Sequence, residues 1–356
     1  GAIAVFFIIS RLFGILPGFL SGLGLSFSIR EQLMYIFGQQ PTVVSLAITP
    51  VTIYAWHKYL TSYYEDGNGG RRIYLFMAGA LLAAQYLLHI QGFLGSAIII
   101  AVLTAALAIR FRKLPAAKNN FKMLALAAIA FAVVAAPFLR IYVGTGGEEL
   151  KLELNPEKLG GWGITPAQVM GNFPEGSVKF SAEYPGILPV FLFAGIALLL
   201  LRTFLVKNNT KEIFMLSWLI GIYIILHFDA ITASGHARLA RMLILENHLF
   251  YALIALSVVW LPATIGTILN SIGRADAQRR LNRLWFNKAI PTTAKYFLAA
   301  VLAFTLISTA GAQTQDRLKA AYSDVTRITP LQAGFAQEVL SKLPEKAFVY
   351  DTILPG

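Results

Sequence analysis

The chain has 356 residues, of which 56% are hydrophobic and only 13% charged. Soluble domains carry about a quarter of their residues as charges, so the composition excludes a soluble globular domain and marks a polytopic membrane protein. The net charge is +12 and there is no cysteine. Disulfides and thiolate metal sites are thereby excluded, and a nucleic-acid face is not indicated, because the basic residues sit in short loops between apolar runs.

A spanning helix needs about 20 mostly apolar residues. That criterion predicts an all-α polytopic fold of nine transmembrane helices, near residues 2–25, 42–60, 73–91, 94–110, 121–142, 186–206, 212–228, 243–269 and 294–312. The first contains Arg11, Gly14, Pro17 and Gly18, the composition of a helix that is broken or lies partly in the interface. The third and fourth make a tight hairpin around Gln91-Gly92-Phe93. The chain opens on Gly1 inside an apolar run, with no charged segment or cleavage site before it, so this is not a signal peptide. It closes on the strand-like Val349–Gly356. These two ends read as those of the C-terminal part of a longer protein.

Alternate loops, around Arg71–Arg72, Arg112–Lys122, Lys207–Lys211 and Arg274–Lys288, hold with their flanking helix ends 17 of the 30 lysines and arginines. The positive-inside rule puts these loops in the cytoplasm. The outer side then receives 26–41, 91–93, 143–185, 229–242 and the tail. Residues 1–312 are accordingly expected to form the transmembrane domain, in a cell membrane with its active face extracytoplasmic. Loop 143–185 is long enough to be functional or disordered, and Trp162, Phe173, Phe180 and Tyr184 argue against plain disorder. The extracytoplasmic tail 313–356 has a helix signal at Thr329–Leu343, with Pro330 at the first position. The run Ala347–Tyr350 then suggests a strand, so the tail begins a small outer α/β domain.

The polar residues that need explaining lie in Gly235–His248. Here His236, Arg238, Arg241, Glu246 and His248 stand between two apolar runs. Ionisable groups at a membrane boundary cost free energy unless something uses them. On a helix, Arg238, Arg241, Leu245 and His248 share one stripe, with Glu246 off it and Asn247 opposite. A guanidinium pair with an imidazole two turns deeper suits a phosphate or pyrophosphate. The competing reading is arginines that snorkel to headgroups above a packed histidine. His89 beside Gln91, and His227 beside Asp229, are placed to face the same outer cavity, although ordinary hydrogen bonding at a helix end accounts for either. Glu31 is either half of a local ion pair with Arg30, worth little, or a carboxylate lining that cavity. Phosphate-loop, nucleophile-elbow and His-x-x-x-His motifs are absent.

Three features resemble the C-terminal part of prokaryotic integral-membrane glycosyltransferases of the GT-C class. They are Leu88-His-Ile-Gln-Gly92 at a hairpin turn, Arg238 and Arg241 entering a late span, and Gln337–Asp351 leading into an outer domain. The resemblance implies transfer of a sugar from a polyprenyl-phosphate carrier to a glycan, lipid or protein acceptor outside the membrane. Membrane lipid would be the surrounding partner, and Arg238 or Arg241 would bind the lipid phosphate. His236, His248, His89 and Glu31 would line the substrate cavity. The family's catalytic carboxylate lies on its first outer loop, upstream of Gly1, so no catalytic residue is assigned. No cofactor follows from the residues, and a divalent cation at the phosphate stays open. Two other classes compete: a transporter or flippase of a lipid-linked or anionic substrate, with His89, His227, Glu246 and His248 along its path, and a non-catalytic membrane subunit.

Overall fold

A computed structural model describes residues 1–36, 40–65, 71–112, 125, 128–133, 136, 180–206, 209–227, 239–272, 290–316 and 319. The described residues are helical almost throughout and contain no strand. In chain order the helices are α1 (Ala2–Phe13), α2 (Ile15–Ser26), α3 (Ile29–Ile36), α4 (Gln40–Glu65), α5 (Arg72–Leu88) and α6 (Ile90–Phe111). They continue with α7 (Phe180–Glu183), α8 (Leu188–Leu205), α9 (Thr210–His227), α10 (Leu239–Ile272) and α11 (Ile290–Thr305). The last runs on through a π-helical segment, Leu306–Gly311, to Asp316. Among the described residues four helical stretches are long and apolar enough to cross a membrane: Ile90–Phe111, Leu188–Leu205, Met242–Ile265 and Thr292–Asp316. Phe204, Phe304 and Phe297 are among many large apolar side chains left exposed on the outside of the bundle. Exposed apolar side chains in such number fit lipid rather than water.

The segment expected as a first span is broken. Gly14 adopts φ +107°, which only glycine tolerates at little cost, and the chain folds back there into α1 and α2, 12 residues each. The two run antiparallel, since a Cβ at Gly18 would meet Ser10 and one at Gly22 would meet Phe6. Such small residues let helix backbones approach closely where lipid supplies no hydrophobic drive. At about 18 Å each, these helices fall short of a hydrocarbon core of about 30 Å. The hairpin brings the chain back to the end it started from, which puts Gly1 beside α3.

α10 is the axis of the bundle. Of its residues Met242–Ile265, nearly all are buried, packed by α8, α2, α11 and α9. α4, α5 and α6 form a second group joined by polar contacts. Gln85 of α5 donates to the Ser45 carbonyl and to Thr49 Oγ1 of α4, both at 2.9 Å, and accepts from Thr52 at 3.2 Å. These bonds surround Pro50, which supplies no N–H to its own helix. The candidate span 121–142 falls mostly outside the described residues, as do loop 143–179, His227's side chain, Asp229 and the strand-like end of the tail.

Candidate functional site

Two short helices cap one end of α10. Ser28 precedes α3, and Glu183 closes α7 where Tyr184-Pro185-Gly186 turn the chain into α8. Gly186 takes φ +63° at this turn. The two caps and the first turns of α10 enclose a polar core made entirely of buried groups. Arg30, Glu183, Tyr184, Glu246, Asn247, His248 and Tyr251 are all no more than 3% exposed.

Asn247 organises it. Its Oδ1 accepts from Tyr184 Oη at 2.6 Å and from Arg30 Nη1 at 3.1 Å. Its Nδ2 donates to Ser28 Oγ and to Glu183 Oε1, both at 2.9 Å. Arg30 Nη1 also donates to Glu246 Oε1 at 3.1 Å. Glu183 Oε2 accepts from the Arg30 backbone N–H at 3.0 Å, while Tyr251 Oη donates to the Glu183 carbonyl at 2.9 Å. Burial pushes the Glu183 carboxyl above the usual range, against the pull of Arg30 and of the hydrogen bonds from Ser28 and the Arg30 N–H. Burial also opposes the charge on Arg30, and Glu246 beside it more than restores that charge. Buried charges persist only when paired and hydrogen-bonded, and this core meets that demand for all but two atoms. Glu246 Oε2 and His248 Nδ1 are buried with no hydrogen-bond partner among the described residues.

The next residue of α3 faces the other way. Glu31 Oε1 lies 3.2 Å from His248 Nε2 and 2.9 Å from the Gly1 amino group. Burial alone would raise its carboxyl, but the hydrogen bond with His248 and the Gly1 amino group beside it hold it at about 2. An ionised carboxylate only accepts, so His248 Nε2 carries the hydrogen. Glu31 also lines an apolar groove of about 970 Å³ between α1, the end of α2 and α4.

Of the predicted residues, Glu31 and His248 thus meet across 217 positions of sequence. Arg30 turns inward to Glu246, and Glu31 turns to the groove. His89 caps the N-terminus of α6, where its Nδ1 accepts from the Gln91 N–H at 3.3 Å. It stands at the same end of the bundle, because Gly92 packs on Ser45 of α4 and Gly95 on Leu245 of α10. Arg241 lies in the first turn of α10, two turns before His248 and on the same face. His236 and Arg238 lie outside the described residues, as does the side chain of Arg241. Among the described residues no three histidine, aspartate or glutamate side chains gather as metal ligands.

The sequence reading passed over Glu183, Tyr184, Asn247 and Tyr251 as members of a site. The signal for Glu183 was present: a carboxylate just before an apolar span is subject to the same cost that singled out Glu246. Asn247 and Tyr251 carry no charge, and only the crossing of α3 and α7 over α10 reveals them. Comparison with family models, with curated proteins and with solved structures returned no match.

Proposed function

We propose that this chain is the membrane portion of a glycosyltransferase of the GT-C type, which takes a sugar from a polyprenyl-phosphate carrier and passes it to an acceptor at the extracytoplasmic face. The observation that carries the reading is the meeting of Glu31 with His248 on the face of α10 that also bears Arg241. The lipid phosphate would sit at Arg238 and Arg241, where forked donors stabilise a phosphate leaving group. Glu31, through its second oxygen, and His248 Nδ1, deeper by two turns, would accept hydrogen bonds from the sugar hydroxyls. The scaffold would be the nine apolar segments of the sequence, the first of them re-entrant, with a small α/β domain following the last.

The test is transfer from a short synthetic polyprenyl-phosphate hexose by the full-length protein in proteoliposomes. Arg241→Ala should lower turnover at least tenfold while leaving the melting temperature unchanged, because the side chain would serve the substrate rather than the fold. Near-normal transfer by that variant removes the assignment.

One observation favours a transporter instead: the α1–α2 hairpin broken at Gly14, since broken helices line transport sites. Uptake of a lipid-linked or anionic solute into vesicles, abolished by Glu246→Gln and with no transferase activity detected, would establish that reading in its place.

A further inference from the structure

The tip of the α1–α2 hairpin reaches the end of the bundle that lies away from Glu31 and His248. Phe13 meets Trp260 of α10 edge to face at 5.5 Å, and Arg202 of α8 lies over the same ring at 5.3 Å. At about 1.5 Å per residue, Trp260 is roughly 18 Å along α10 from His248. Arg11 is in the last turn of α1, so the hairpin carries it to this end, with its side chain exposed. It lies over the Phe7 ring at 5.4 Å, the posture of an arginine whose stem rests on apolar surface and whose head stays at headgroup level.

Three helices bring polar groups together there. Lys58 Nζ of α4 lies over the Tyr54 ring at 5.8 Å. Arg11 of α1 and Tyr74 of α5 both lie close enough to act electrostatically on the Tyr54 phenol. Each of the four keeps part of its surface open. Among the described residues neither Arg11 nor Lys58 is paired with a carboxylate, whereas Arg202 at the same end has Glu212. A charged group within an apolar helix, unpaired inside the protein, marks a site for a partner outside it.

The chemistry of that partner follows from the patch. A guanidinium, an ammonium and two phenol hydroxyls suit an anion that accepts hydrogen bonds. Phe7 and Arg11 stand one turn apart on α1, as Tyr54 and Lys58 do on α4, with Val51 a further turn back. Phe7 and Val51 line the end of the apolar groove farther from Glu31, so hydrocarbon lies directly beside the cations. A free phosphate has no use for that surface, and a zwitterionic head brings its own cation toward Arg11 and Lys58. Basic pockets between membrane helices hold anionic lipid heads in this way.

We infer that Arg11 and Lys58, with the Tyr54 and Tyr74 hydroxyls, bind the phosphate head of an anionic phospholipid in the leaflet at this end, its chains along Phe7 and Val51. The inference does not depend on glycosyl transfer. The full chain, delipidated in neutral detergent, is titrated with phosphatidylglycerol or with phosphatidylcholine of the same acyl chains, and lipid binding is read by native mass spectrometry. Phosphatidylglycerol should bind in preference, and excess inorganic phosphate should not displace it. Arg11→Gln and Lys58→Gln should each weaken phosphatidylglycerol about fivefold, the usual worth of one cation at a membrane surface. Both should leave phosphatidylcholine binding and the melting temperature unchanged, and Arg11→Lys, which keeps the charge, should keep the preference. The two positions are tested separately, so loss of the fold in one variant leaves the other decisive. Arg112→Gln, which removes an exposed cation outside the patch, should change little. Equal affinity for the two lipids would overturn the proposal. So would displacement by inorganic phosphate, which would assign the patch to a free anion, or an equal loss in Arg112→Gln, which would leave only diffuse surface charge.

Discussion

At the capped end of α10, Arg30 reaches Glu246 across 216 residues of sequence and is 3% exposed. At the opposite end Arg202 reaches Glu212 across ten residues and keeps 25% of its side chain open. The second pair fastens the turn between α8 and α9. Arg202 donates to Glu212 Oε1 from Nε at 3.2 Å and Nη2 at 3.0 Å and lies over the Trp260 ring at 5.3 Å. Nearby, Arg110 donates to Asn209, which in turn donates to the Thr203 carbonyl. The arginine heads at this end stay open to the surface, Arg202 in part, while the Glu212 carboxylate is buried. The capped end joins α3, α7 and α10 through groups that no water reaches, and its cohesion depends on every member being present. A buried charge network that a fold could replace with apolar packing at little loss is weak evidence for stability. Its retention, next to a groove and a histidine with a free nitrogen, is what marks that end as the candidate site.

The contrast is open to a direct test. Arg30→Met leaves Glu183 and Glu246 facing each other without a cation, and breaking a buried pair on one side costs about 3–5 kcal/mol. Thermal unfolding of the purified protein in micelles should show this as the largest drop of any single substitution at either end. The double variant Arg30→Met/Glu246→Leu should recover part of it, because the second change removes the stranded charge. If the double variant is as unstable as the sum of the singles, the two residues are not coupled and the network as drawn is wrong.

Acid should affect the two carboxylates of the caps in opposite senses. Glu31 is held at about 2 against an ordinary value of 4.5, so its contribution is full above pH 4.5 and is lost as pH falls toward 2. At 1.36 kcal/mol per unit this amounts to roughly 3 kcal/mol. Glu183 is shifted upward, so its contribution is present at acid pH and declines as pH rises above the ordinary carboxylate range. Melting curves between pH 2 and pH 5 should therefore flatten in Glu31→Gln and keep their slope in Glu183→Gln. A Glu31→Gln curve that still falls steeply over that window would show that Glu31 is not the group held ionised.

Much of this architecture could be read from the residues, and the reasons for the remainder are specific. The apolar helices followed from length and hydropathy, and the break at Gly14-x-x-Pro17-Gly18 was visible as an accumulation of helix-weakening residues. Its outcome, a hairpin, was not, because folding back depends on whether Gly18 and Gly22 find Ser10 and Phe6. Helical spacing separated His248 from Glu246 and Asn247, and the two faces do serve different partners. What periodicity could not supply was the identity of those partners. Arg30 and Glu31 are adjacent in sequence, which suggested a local pair. Their opposite directions arise only because α3 crosses the end of α10, setting one side chain over Glu246 and the next beside His248.

The smallest effect belongs to the open end, and it shows best why the two ends differ. Arg202→Ala removes two hydrogen bonds to Glu212 and a cation over Trp260, yet it should cost only about 1 kcal/mol. Glu212 lies in the first turn of α9, where the unpaired N–H groups and the helix dipole favour a negative charge without any arginine. Arg202 is 25% exposed, so its truncation lets solvent in toward Glu212, itself only 4% exposed, to take over part of the hydrogen bonds that were lost. Neither compensation exists for Glu246, which sits two turns inside α10 with one oxygen already unpartnered. A loss at Arg202 equal to that at Arg30, in the same unfolding assay, would mean that solvent and the α9 terminus contribute nothing at the open end. The capped end would then have no claim to be the exceptional one.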